Sequence, residues 1–338
     1  MLSDDLEGKL MERAQSLDRW LTESLRLPDF ERHNLAGDAS FRRYYRLKMP
    51  KQSYVVMDAP PPESPQLFIN VGQALLHQGL TVPQIVAADL EQGFLLLSDF
   101  GDKLYLDALN ANTADTLYED AFRSLIKLQQ VSLETPQCDE AFLKRQFQLF
   151  KDWYLDKHLK LSRNIEIENT LNGFYEKLIS EIMTQPFVFV HRDFHSRNLM
   201  VLEKGNPGII DFQDAFRGPI VYDLVSLLQD CYISWPRDQV ENWVRGFQER
   251  LRHEALLSKA VTFSQFLRWF DLTGLQRHLK NLGIFSRLNY RDNKPHYLKD
   301  LIMPLRYSLE TCKRYAEFEG LGKFLETVSK ELQPQCAP

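Results

Sequence analysis

The chain has 338 residues, 44% hydrophobic and 26% charged, with a formal net charge of −5 and a pI near 6.0. This is ordinary globular composition, long enough for two lobes rather than one core. Nothing in the balance calls for a nucleic-acid partner, and no apolar run is long enough to span a bilayer.

Leu6, Leu10, Ala14, Leu17, Leu21 and Leu25 recur at helical spacing, which predicts a leading amphipathic helix over 5–27, ended before Pro28. "LAGDASFRRYYRLKM" and "QSYVVMDAPPPE" read as strands, and "SPQLFINVGQALLHQGL" as a helix. "VPQIVAAD" and "GFLLLSDFG" read as two more strands around a "DLEQG" turn. From about Ala111 the period turns helical, and it stays so to the end apart from one polar interruption and a short "GIIDF" strand. The expected fold class is therefore α+β, with a small β-rich lobe over 1–101 and a large, mainly helical lobe over 102–338. Cys138, Cys231, Cys312 and Cys336 are widely spaced and form no CxxC, which predicts neither a zinc knuckle nor a disulfide framework. The acidic N-terminus has no signal-peptide pattern. A cytoplasmic monomer without membrane or nucleic-acid partners is expected.

The interruption is "PFVFVHRDFHSRNLMV". An apolar strand ends in His191, Arg192, Asp193, His195, Arg197 and Asn198. "NLMVLEKGNPGIIDF" then reads as a β-hairpin that returns Asp211 to the side of Asn198. Two carboxylates and an amide converge, as a hard cation with phosphate and water ligands requires. Asn198 and Asp211 would hold Mg²⁺ with a nucleotide, leaving Asp193 to orient and deprotonate a hydroxyl nucleophile. An ordinary polar turn is the bland alternative for "HRD" alone. A transition-metal site on His191, Asp193 and His195, serving a phosphoesterase, is another.

"VHRDFHSRNLMV", with "GIIDFQDAFRGPIVYDLVSLL", resembles the aminoglycoside phosphotransferase family, and the resemblance covers nearly the whole chain. It implies a two-lobed, protein-kinase-like fold and an ATP- and Mg²⁺-dependent phosphotransferase. "GDASFRRYYR", "VVMDAPPPE" and "EQGFLLLSDFGD" are most similar to its bacterial branch that phosphorylates the anomeric hydroxyl of N-acetylmuramate and N-acetylglucosamine in cell-wall recycling. By that resemblance Asp193 is the catalytic carboxylate, His191 supports its loop, and Asn198 and Asp211 are the metal ligands. Asp223 would fix the loop from a helix start, although a plain helix N-terminal carboxylate reads almost as well. Gly37, Asp38 and Ser40 would form the loop over the nucleotide phosphates, and Ser98, Asp99 and Phe100 the hinge beside adenine.

The sequence departs from the pattern at Met57, where a phosphate-pairing lysine is usual. The nearby cations are Arg42, Arg43, Arg46 and Lys48, with Arg43 the expected substitute among them, and without one the chain would be a nucleotide-binding scaffold. The small-molecule sugar acceptor is expected among His195, Gln213, Asp214, Arg217 and Arg268. The net-basic stretch from Arg268 to Arg291 favours a neutral or anionic acceptor. Another sugar, an aminoglycoside or a choline-like acceptor stays open.

Overall fold

The structure, a computed structural model, describes residues 2–35 and 41–330. Helix α1 (Leu2–Arg19) passes into a π-helical turn, Trp20–Ser24, and ends short of the expected 27, because Arg26 takes a left-handed conformation (φ 50°). The small lobe is an antiparallel sheet of β1 (Glu31–Leu35), β2 (Arg43–Lys48), β3 (Ser53–Asp58), β4 (Ile85–Asp89) and β5 (Phe94–Ser98), in the order β1-β2-β3-β5-β4. Strand β1 gives no sequence signal, since its residues "ERHNL" lie exposed on an edge with no buried face to impose alternation.

The sheet's two faces carry different partners. Leu47, Val56, Phe94 and Leu96 pack with Leu17, Trp20 and Leu21 from the N-terminal helical segment. Each such fully buried large apolar side chain contributes about 1.5–3 kcal/mol. Met57, Leu95 and Leu97, with Tyr44 and Val55, face the other way. There they meet Phe68, Val71 and Leu75 of α2 (Pro65–His77), whose Ser64 N-cap accepts from the Leu67 amide. This second face belongs to the core shared with the large lobe.

The large lobe begins with α3 (Tyr105–Ala108), α4 (Ala114–Gln129), α5 (Glu140–Leu149) and α6 (Ile165–Ile182). Two short antiparallel pairs follow. Strand β6 (Phe187–Val190) pairs with β9 (Phe216–Pro219), and β7 (Leu199–Met200) pairs with β8 (Gly208–Ile209). Then come α7 (Tyr222–Leu228), α8 (Arg237–His253), α9 (Phe263–Tyr290), α10 (Ile302–Arg314) and α11 (Glu319–Val328). Helix α9 is the spine of the lobe and is buried on all sides from Trp269 to Gly283. A Cβ at Gly283 would stand 2.4 Å from the Leu149 carbonyl carbon, so only glycine lets α9 approach α5 so closely. Trp269 and Phe270 are core residues on this helix.

Candidate active site

Strand β6 ends at Val190, whose partner is Phe216, and the chain then leaves the strand at His191. Buried Asp223, near the start of α7, accepts from the His191 amide at 2.7 Å and the Arg192 amide at 2.9 Å. The clamp holds Arg192 in a left-handed conformation (φ 87°), which costs about 1–3 kcal/mol for a side-chain-bearing residue. Burial pushes the Asp223 carboxyl up to about 7, against the opposing pull of the two amides. Its helix-start position alone would not account for these bonds. Asp230 makes a second clamp, accepting from the Ser196 amide at 3.0 Å and its hydroxyl at 2.5 Å.

His191 is fully buried. Its Nδ1 accepts from the Asp193 amide at 3.3 Å, and its Nε2 lies 3.1 Å from the Ile210 carbonyl, which assigns the proton to Nε2. Burial lowers its pKa to about 4, so it is neutral at pH 7. It therefore acts as a hydrogen-bonded strut between the loop and the hairpin. No group of three or more His, Cys, Asp and Glu among the described residues could hold a metal, so His191, Asp193 and His195 do not form the transition-metal set.

The hairpin returns as its turn residues predict. Ile210 donates its amide to the Asn198 carbonyl, and Asn198 Nδ2 donates to the Asp193 carbonyl at 3.0 Å and to Asp211 Oδ2 at 3.3 Å. Asp211, itself left-handed (φ 63°), also accepts from Gln213 Nε2 at 2.8 Å. Backbone bonds tie the hairpin to both lobes: Ile209 donates to Thr81, and Val201 to Lys103. Asn198 and Asp211 thus stand side by side where the lobes meet. One carboxylate and one amide suit a hard cation whose other ligands are phosphate and water.

Asp193 lies on the large-lobe side, its side chain one-third exposed. Burial would raise its carboxyl, yet Lys280, Arg192, Arg277 and His195 hold it well below the usual carboxylate range. Arg277 Nη2 is 3.5 Å from Asp193 Oδ1, and Lys280 Nζ is 3.2 Å from the Tyr222 hydroxyl. Both cations are buried on α9. Burial lowers the Lys280 ammonium to about 7. Lys280 is a residue that motif reading passes over. Its available signal was a cation three residues from Arg277 in a helix whose polar residues fall on every side rather than on one face.

Other expected residues fall in less direct places. His195 meets Tyr232 edge-on at 5.5 Å. Gln213 is buried against Asp211, whereas Asp214 is exposed. Arg217 is exposed on β9, with its backbone bonded to Pro136 and Cys138. Arg268 does not join the cluster, because Glu181 and Glu317 each hold its Nη2 at 2.7 Å on another stretch of α9. Ser98 caps the Gln84 amide, Asp99 binds Arg46, and Phe100 packs on Gly208. Gly37, Asp38 and Ser40 lie outside the described residues. Arg43 is turned away from the cleft: it faces Asp58 at 3.9 Å on the α1 side of the sheet, where Arg13 also binds Asp58 at 2.6 Å. A cavity of about 500 Å³ lies farther along the large lobe, walled by Trp235, Arg237, Arg306, Tyr307 and Arg314, and does not include Asp193.

The family described as "Phosphotransferase enzyme family" matches residues 31–259, which hold the sheet, the Asp193 loop and the hairpin. The chain belongs to this family. It is 42% identical to an N-acetylmuramate/N-acetylglucosamine kinase of Pseudomonas aeruginosa, over 94% of this chain and 97% of that one. It is 38% identical to the protein of the same name from Neisseria meningitidis, over 95% and 98%. Among solved structures, a choline kinase from Streptococcus pneumoniae has a TM-score of 0.62 at 12% identity, covering 88% of this chain and 99% of that one. The aminoglycoside phosphotransferase APH(2'')-Ib, solved with ADP, has a TM-score of 0.60 at 15% identity, covering 88% and 98%. At these identities the structures establish the two-lobed fold alone.

Proposed function

We propose that this family member transfers the γ-phosphoryl of ATP to the anomeric hydroxyl of N-acetylmuramate or N-acetylglucosamine. The observation that carries the reaction class is the ionised Asp193 beside the adjacent Asn198–Asp211 pair at the lobe junction. The acceptor rests on relatives of that name matched along nearly their whole length. The basic surroundings of Asp193 support it, since Lys280, Arg192 and Arg277 would repel a polycationic aminoglycoside.

In this reading the small lobe, residues 1–101, covers the nucleotide, and Ser98, Asp99 and Phe100 border adenine. Asn198 and Asp211 would hold Mg²⁺, which when bound offsets the charge of the phosphates. Asp193 accepts a hydrogen bond from the acceptor hydroxyl and takes its proton at a carboxylate oxygen as the hydroxyl attacks. A carboxylate held so acidic is a weak base. An anomeric hydroxyl, acidified by the ring oxygen on the same carbon, suits it better than an ordinary alcohol. His195 and Gln213 would be the nearest further groups to the sugar. The buried thiols of Cys138, Cys231 and Cys312 suit the reducing cytoplasm.

The test is phosphorus NMR of the purified protein with ATP, Mg²⁺ and a panel of sugars and aminoglycosides. A new anomeric phosphate is expected, with turnover falling about 10²–10⁴-fold in Asp193→Asn. Transfer only to aminoglycosides, or phosphate release from sugar phosphates without ATP, would overturn the proposal.

A further inference from the structure

Met57 is fully buried in the face of the sheet that meets α2, so it supplies no charge to the nucleotide side. The cross-strand register decides which nearby cation can. Tyr44 pairs with Met57, and Arg43 pairs with Asp58. Cross-strand partners share a face, and successive residues alternate between faces. Tyr44 and Met57 therefore look toward α2 and the cleft, while Arg43 and Asp58 look toward α1. Arg46 shares the cleft face but is taken up near the hinge by Asp99, Asp102 and the Gly101 carbonyl.

Arg42 stands two residues before Tyr44. Its guanidinium is buried and 2.6 Å from Glu63, the residue before the α2 N-cap, and Glu63 also accepts from the Phe41 amide at 3.2 Å. Tyr44 packs against the core shared with the large lobe, and Phe68 in the first turn of α2 lies 4.6 Å, ring to ring, from Phe212, the residue after Asp211, so the end of α2 that follows Glu63 abuts the Asp211 side of the cleft. A cation braced by a carboxylate beside α2 repeats the charge arrangement that kinases build from a strand lysine and a helix glutamate.

We propose that Arg42, braced by Glu63, is the phosphate-binding cation of the nucleotide site, in place of the lysine missing at Met57. The proposal rests on the nucleotide site proposed above and is independent of which sugar accepts. Arginine suits the task because its fork can hold Glu63 with one edge and a phosphate with another.

The test titrates the full-length protein with a non-hydrolysable ATP analogue and Mg²⁺ by calorimetry, alongside steady-state kinetics with ATP. Arg42→Met is expected to weaken binding and raise the ATP KM by roughly 10- to 100-fold, with Arg42→Lys recovering part and Glu63→Gln intermediate. Arg43→Met should stay within about twofold of the parent, as an ion pair off the cleft would. Parent-like binding and KM in Arg42→Met, or the loss appearing in Arg43→Met instead, would overturn the proposal. If Arg42→Met lacks a cooperative melt, Arg42→Lys decides. It is expected to fold with a raised ATP KM, and an unchanged KM would overturn the assignment. Calorimetry keeps the two readings apart: a parent protein that binds the analogue but phosphorylates no sugar sinks the acceptor, while the Arg42 comparison still returns an answer.

Discussion

The Asp193 loop and the small-lobe sheet hold their charges in opposite ways. Around Asp193 two buried carboxylates grip the backbone, Asp223 at two amides and Asp230 at the Ser196 amide, while α9 presents Arg277 and Lys280 from behind. On the small lobe the charges are paired side chain to side chain, as Arg42–Glu63, Arg13–Asp58–Arg43 and Arg46–Asp99. Backbone clamps make a preorganised centre that does not reorganise during reaction. Side-chain pairs can exchange a partner, which suits the nucleotide uptake and release proposed for this lobe.

This contrast breaks first at Asp223. Asp223→Asn replaces one amide acceptor with a donor in a buried site, and a loss of about 3 kcal/mol by denaturant titration is expected, with activity lost in parallel. Arg43→Met in the small lobe should cost less than about 1 kcal/mol. Equal costs would remove the distinction between clamp and pair.

Lys280→Met sharpens it, because stability and activity should separate. Removing a buried cation lifts its desolvation penalty, so the melting temperature should hold or rise. With less positive charge behind Asp193, kcat should fall roughly tenfold or more. A lower melting temperature with unchanged kcat would make Lys280 a packing residue only.

The smallest effect concerns His278, beside Arg277. It is buried, stacked on Tyr307 at 4.9 Å, and 3.2 Å from Gln229 Oε1 through Nε2. Burial holds its pKa well below 6.5 in the folded state. The unfolded chain therefore takes up the proton first. The histidine's contribution is complete above pH 6.5 and is lost as pH falls below that value. His278→Gln should flatten the decline of stability below pH 6.5 relative to the parent, measured by denaturant titration at each pH. The difference between the two proteins separates His278 from Asp223, whose raised carboxyl acts in the opposite sense. Parallel profiles would exclude the buried imidazole as a source.

Much of the catalytic loop is legible because its logic is local. The spacing from Asp193 to Asn198 and the "EKGNPG" turn bring Asp211 back by hairpin geometry alone, and the structure places Asn198 and Asp211 3.3 Å apart. The strands with a buried face, β2 to β5, and the long helices announce themselves by period. Strand β1 does not, since an exposed edge imposes no pattern. Arg268 read as a site residue for its sequence neighbours, but 28 residues of α9 span many turns, and Glu181 and Glu317 claim it at the far stretch.

The sequence by itself determined the two-lobed α+β class, the hairpin, and the identity of Asp193, Asn198 and Asp211 as a group, because periodicity and turn chemistry act over short separations. Tertiary structure decided which of two adjacent arginines faces the cleft. Arg42 sits just ahead of β2 and Arg43 begins it, and the partners that reveal their sides, Glu63 for Arg42 and Asp58 with Arg13 for Arg43, come from other elements of the chain.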